Sequence, residues 1–126
     1  MKNSPEYIAH VLELMRPTAI ATTRAMFGGH GVYLDGIIVG IVVDDVLYLK
    51  TDEENRASFV ELGLEPFRYV TKEGEVHVMS YHRAPDDALD GPHVMAPWLK
   101  SAHAAALRRK GASRTTPKRR SAKALR

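Results

Sequence analysis

Between Val32 and Leu49 three apolar, β-branched runs are separated by two polar pairs, Asp35-Gly36 and Asp44-Asp45. Asp-Gly between alternating hydrophobics is a strong hairpin signal, because a type I′ turn needs positive φ at both central residues. Strands joined by two-residue turns are antiparallel neighbours, so the stretch predicts a meander. Val32 and Leu34 alternate with Tyr33 and Asp35, and Leu47 and Leu49 alternate with Val46, Tyr48 and Lys50. The middle run is apolar on both faces. Strict alternation puts Ile37, Val39, Ile41 and Val43 on one face and Ile38 and Val42 on the other. Such a strand is central and covered on both sides.

Helices flank the meander. Ser4-Pro5 offers a hydroxyl N-cap followed by proline at the first helical position, where its missing N–H is not needed. Ile8, Val11, Leu12 and Met15 follow at helical spacing, and Pro17 ends the run. Thr51-Asp52-Glu53-Glu54 fits a capping box for a helix reaching about Leu62. Gly63 is placed to end that helix with positive φ, with Leu64 folding back as the apolar contact. Phe67–Thr71 and Glu75–Tyr81 read as a second hairpin around Lys72-Glu73-Gly74. A last helix is predicted from Gly91 or Ala96-Pro97 to Lys110, with Val94, Trp98, Leu99, Ala102 and Ala106 on its apolar face.

The predicted order is helix, three strands, helix, two strands, helix. This is an α+β fold in two layers, an antiparallel sheet with its helices on one face. The length of 126 residues suits one domain, here residues 1–110, followed by a basic tail at 111–126 expected to be disordered. Ile38 and Val42 suggest that the second sheet face is not fully wetted, and a homodimer is the simplest cover.

Charge is divided unevenly. Residues 1–107 carry nine Lys/Arg and all fifteen acids, a net −6. Arg108, Arg109, Lys110, Arg114, Lys118, Arg119, Arg120, Lys123 and Arg126 follow without an acid, a net +9. Such a segment binds polyanions by counterion release, which points to DNA or RNA. It contains no aromatic residue, so the tail itself does not predict stacking on single strands. The absence of cysteine removes disulfides, zinc–thiolate sites and cysteine nucleophiles, and fits a reducing cytoplasm. No signal peptide is legible, and the longest apolar run is too short to span a membrane.

The stretch RAMFGGHGVYLDG, Arg24 to Gly36, raises the question of a phosphate cradle or a catalytic corner around His30. A phosphate loop leads into a helix whose N–H groups face the anion. Here Val32-Tyr33-Leu34, a strand, follows instead. Gly28, Gly29 and Gly31 are therefore read as a bend or close approach in a sheet. The histidines form no HxH, HxxH or HExxH pattern, and the acid pairs Asp44-Asp45, Glu53-Glu54 and Asp86-Asp87 sit at turns or helix starts. Arg24 is expected to pair with an acid, its stem on the sheet, or else to contact an anion or partner.

The blocks Arg24-x-Met26-Phe27-Gly28-Gly29-x-Gly31-x-Tyr33-x-Asp35-Gly36 and Leu47-Tyr48-Leu49-Lys50-x-Asp52 stand in this order ahead of Phe67-x-Tyr69, Tyr81-x-x-x-Pro85 and Trp98. Together they resemble the TfoX N-terminal domain family over about residues 5–107. The resemblance implies the α+β order above, a bacterial cytoplasmic protein, and no catalytic residue or cofactor. The family's namesakes regulate transcription of natural-competence genes, and full-length members carry a further C-terminal domain where this sequence has a short basic tail.

The sequence thus predicts a non-enzymatic regulatory domain, self-associating, with the tail in contact with DNA or RNA. Two other readings remain open: a ligand-binding or enzymatic domain built on an Arg24–His30 corner, and an adaptor that binds transcription machinery without nucleic acid.

Overall fold

The computed structural model describes residues 3–26 and 28–115. The elements run α1 (Pro5–Met15), β1 (Thr22–Met26), β2 (Gly29–Leu34), β3 (Ile37–Val43), β4 (Val46–Lys50), α2 (Arg56–Val60), β5 (Pro66–Val70), β6 (Val76–Arg83), a 3-10 turn (Asp86–Leu89) and α3 (Pro92–Thr115). The strands form one antiparallel sheet in the order β1-β2-β3-β4-β6-β5. The class is α+β. Where three strands were expected before the second helix there are four, because the glycine bend is a reversal that separates β1 from β2, with Gly28 at φ +75°.

Local chemistry accounts for most boundaries. Ser4 caps α1 by accepting from the Tyr7 amide at 3.1 Å. Asp35 and Gly36 take φ +52° and +77°, and Asp44 and Asp45 take +54° and +58°, the paired positive values of type I′ turns. The capping box before α2 is shifted by one residue. Asp52 Oδ1 accepts from the Glu54 and Asn55 amides, and Asn55 Oδ1 accepts from the Asp52 amide. Thr51 is instead buried, its hydroxyl 3.1 Å from His82 Nδ1. α2 closes as a Schellman motif, Leu64 N to Phe59 O and Gly63 N to Val60 O, both 3.0 Å.

α1 and α3 cover one face of the sheet. Beneath them Val11, Leu14, Met15, Val32, Leu34, Val39, Val42, Leu47, Leu49, Phe59, Met95 and Leu99 form the core. Trp98 lies edge-on to Phe59, ring centres 5.0 Å apart. α3 includes Pro97 and continues to Thr115, past the predicted end at Lys110. The remainder of the tail, 116–126, lies outside the described residues.

One irregularity re-sorts the sheet. Val32 pairs with Gly40 and Tyr33 with Ile38, so Val39 is an extra residue beside that pairing, a β-bulge. Alternation changes phase there. Ile37, Val39 and Val42 face the helices, whereas Ile38, Ile41 and Val43 face the open side. The strict alternation read from the sequence is corrected: Ile41 and Val43 exchange faces with Val42.

Candidate functional site

The glycine-rich block builds the β1–β2 hairpin. Arg24 stands opposite Gly31, and Ala25 opposite His30. Neighbouring strand residues point to opposite faces, so Arg24 and His30 do not converge. The acid partner expected for Arg24 is replaced by a ring. Its guanidinium carbon lies 5.0 Å from the centre of Tyr33. Beneath that ring is Gly31, where a Cβ would come within 2.9 Å of Tyr33 Cε1. On the open face the Tyr33 ring thus meets both the Arg24 guanidinium and bare glycine backbone. Gly29 has a separate reason: a Cβ there would lie 2.5 Å from the Val42 carbonyl oxygen. Among the motif residues, Phe27 lies outside the described residues. Met26 lines the open face.

His30 serves the other side. Its Nδ1 accepts from Asn3 Nδ2 at 2.8 Å, which puts the ring proton on Nε2, and the same Asn3 nitrogen donates to Val42 O at 2.8 Å. Asn3 Oδ1 accepts from the Asp45 amide at 2.9 Å. One asparagine therefore ties the segment before α1 to β2, to β3 and to the turn before β4.

The open face is where unlike side chains gather. β5 and β6 extend past the end of β4 and border a groove of about 400 Å³ lined by Met26, Ile38, Ile41, Val43, Phe67, Tyr69, Met79 and Tyr81, with Gly29 and His30 at one side. Four of the chain's five tyrosines, Tyr33, Tyr48, Tyr69 and Tyr81, belong to this face. The Tyr48 and Phe67 rings meet edge-on at 5.0 Å, and the Tyr69 ring stacks on His77 at 5.3 Å. Lys50 Nζ sits 4.8 Å from the centre of the Tyr81 ring. Burial, then the nearby Arg109 guanidinium, lowers the Lys50 ammonium below the usual lysine range. Burial also raises the phenols of Tyr48 and Tyr81. Among the described residues no strand position on this face carries a carboxylate.

The basic segment is divided. Arg108 is bonded through Nε and Nη2 to Asp52 and lies 3.2 Å from Glu54 Oε2. This fork holds the Asp52 carboxyl down at about 2. Arg109 and Lys110 are exposed, and Arg114 lies within α3. Lys118, Arg119, Arg120, Lys123 and Arg126 lie outside the described residues. No group of three or more potential metal-binding side chains comes together, and no helix is long and apolar enough to cross a membrane, among the described residues.

Sequence reasoning missed the aromatic face as a unit. The pairs Phe67/Tyr69 and Tyr48/Lys50, two apart on their strands, were the available signal. Placing them beside Tyr33 and Tyr81 required the bulge and the β4–β6 pairing.

Comparison with known proteins adds two findings. A segment of 49 residues is 41% identical to the DNA transformation protein TfoX1 of Aliivibrio fischeri, covering 39% of this chain. The match spans 23% of that relative's length. The family model described as TfoX N-terminal domain matches residues 13–106, 94 of the 126 residues. With this match and the signature block folded into one hairpin, the chain belongs to the TfoX N-terminal domain family.

Proposed function

We propose that this chain is a non-catalytic regulatory domain of the competence type, acting in the cytoplasm, whose basic C-terminal residues contact nucleic acid. The observation that carries the reading is the family match over 13–106, joined to a charge split of −6 up to Leu107 and +9 beyond it. The relative's description as a DNA transformation protein supports the competence setting. The test is binding of a labelled duplex across a salt series. The full chain is compared with a variant whose Arg114, Lys118, Arg119, Arg120, Lys123 and Arg126 are neutral. The log–log salt slope should fall by roughly 0.9 for each phosphate that is no longer neutralised. Equal affinities and slopes would remove the tail from the reading.

Self-association belongs to the same proposal. Val70, Val76 and Val78 are 64%, 59% and 60% exposed on the side of the β5–β6 arm away from the groove. A two-stranded arm is marginal alone, and a second copy pairing along the edge strand β5 would bury it. Sedimentation equilibrium of the full chain and of Val76→Lys/Val78→Lys tests this. A monomer in both would overturn it.

A further inference from the structure

We propose that the helix-free face of the sheet is a platform for single-stranded nucleic acid, with bases stacking on its tyrosines beside Arg24 and Lys50. The proposal uses residues separate from the tail and stands whether or not the tail binds.

Three observations carry it. Rings and cations are already paired on this face, Arg24 over Tyr33 and Lys50 over Tyr81. A base is a planar π-face that joins such a stack, on the ring or on the guanidinium. Carboxylates are sparse here. Although residues 1–107 are net acidic, their acids occupy turns, loops and helices, and none stands at a described strand position on this face. Glu75 and Glu65 border it, each beside a partner: Glu75 Oε1 lies 3.3 Å from His77 Nε2 and Glu65 Oε2 lies 3.7 Å from Arg83 Nη1. A phosphate backbone crossing this face meets the cations Arg24 and Lys50. The third observation is shape. The groove of about 400 Å³ has aromatic walls at Phe67, Tyr69 and Tyr81 and an aliphatic floor at Ile41 and Val43, which admits flat apolar groups.

The same features select the occupant. A duplex keeps its bases stacked inside and offers no free ring to a recessed aromatic wall, whereas a single strand turns its bases out. A second copy docked face to face would set Arg24 and Lys50 against their own counterparts with no carboxylate on the facing strands to answer them.

The experiment uses the full chain and fluorescein-labelled oligothymidylate of about ten nucleotides, within the site sizes of sheet-face binders, with a duplex of equal length as control. Tyr69 is 45% exposed, so its replacement leaves the fold standing, which thermal unfolding verifies. Tyr69→Leu should weaken single-strand binding roughly tenfold and Tyr69→Phe should restore it, since stacking needs the ring and not the hydroxyl. Arg24→Gln should weaken it several-fold, and wild-type tyrosine fluorescence should be quenched on binding. The tail-neutral variant should lower duplex and single-strand affinity alike, and so leave the single-strand preference in place. Unchanged single-strand binding in both Tyr69→Leu and Arg24→Gln would overturn the proposal. So would equal affinity for duplex and single strand, or a Tyr69→Leu effect confined to sedimentation, which would mark the face as a contact between copies.

Discussion

The two faces of the sheet are built from different chemistry by the same strands. The covered face is aliphatic: Val32, Leu34, Val39, Val42, Leu47 and Leu49 are all sealed under α1 and α3. The open face takes the alternate positions and fills them with Tyr33, Tyr48, Tyr81, Met26, Arg24 and Lys50. The first set gains stability by leaving water, at roughly 25 cal/mol per Å² of apolar surface. Apart from Tyr81, which is 7% exposed, the second set keeps one flank wet, and its cations are paired with its rings. The contrast separates residues that hold the fold from residues free to do something with it.

The sharpest way to break that contrast is to truncate one ring on each face. Phe59 is fully buried against Trp98 and His82. Phe59→Ala should lower the unfolding free energy by about 3–5 kcal/mol in urea titrations, while Tyr69→Leu should stay within about 0.5–1 kcal/mol. Comparable losses would mean that the open face is a second core. Next come the glycines of the signature. Gly29→Ala drives a Cβ into the Val42 carbonyl, where backbone must move on both sides, and about 2 kcal/mol should be lost. Gly31→Ala meets the Tyr33 ring, which swings away. About 1 kcal/mol should go, with Tyr33 emission altered by its separation from Arg24.

The smaller effects are titrations, both belonging to the covered side. His82 is buried beside Phe59 and Thr51, and burial, then Arg56, lowers its pKa below the usual value of 6.5. The unfolded chain therefore binds the proton more readily than the folded one. Stability is complete above the ordinary histidine range and declines as pH falls through 6.5 toward the lower folded value. His82→Gln should flatten that slope in thermal unfolding between about pH 7 and 5. The Asp52–Arg108 pair acts in a lower window. With the carboxyl shifted from 3.8 to about 2, its contribution is present above about pH 4 and is lost as pH falls toward 2. Asp52→Asn should remove that acid limb and leave the histidine limb intact.

Local signals in the sequence were legible wherever one residue dictates one backbone state. Asp35-Gly36 fixed its own turn, Ser4-Pro5 its helix start, and Gly63-Leu64 the end of α2. Features that depend on a partner distant in the chain were not. The capping box slid by one because Thr51 was drawn into the core by His82, 31 positions away, leaving Asp52 to cap. The reversal at Gly28 looked like a bend, because nothing local distinguishes a strand that curves from one that ends. The chemistry of a lone arginine favours an acid partner or an anion, and nothing local to Arg24 signals a ring instead. The ring it lies over comes from two residues past the glycine it faces, visible only once Thr22 is set against Tyr33. The open face was harder still, being assembled from all six strands across a register shift.

That register shift at Val39–Gly40 has a consequence for how such chains tolerate change in length. A strand that alternates strictly would hand four of the seven residues in β3 to the helices and give the groove a floor of Ile38, Gly40 and Val42. The extra residue moves two large aliphatic side chains across the sheet and brings one back, so the groove owes its floor to a count rather than to a composition. The tolerance is lopsided. Removing Val39 leaves Ile38 opposite Tyr33 and Gly40 opposite Val32, so the ladder becomes regular, the floor stays, and the core gives up one valine. Adding a residue just after Gly40 is the damaging change. It would swing Ile41 and Val43 under the helices and lift Val42 into the groove, with the composition of the strand almost untouched.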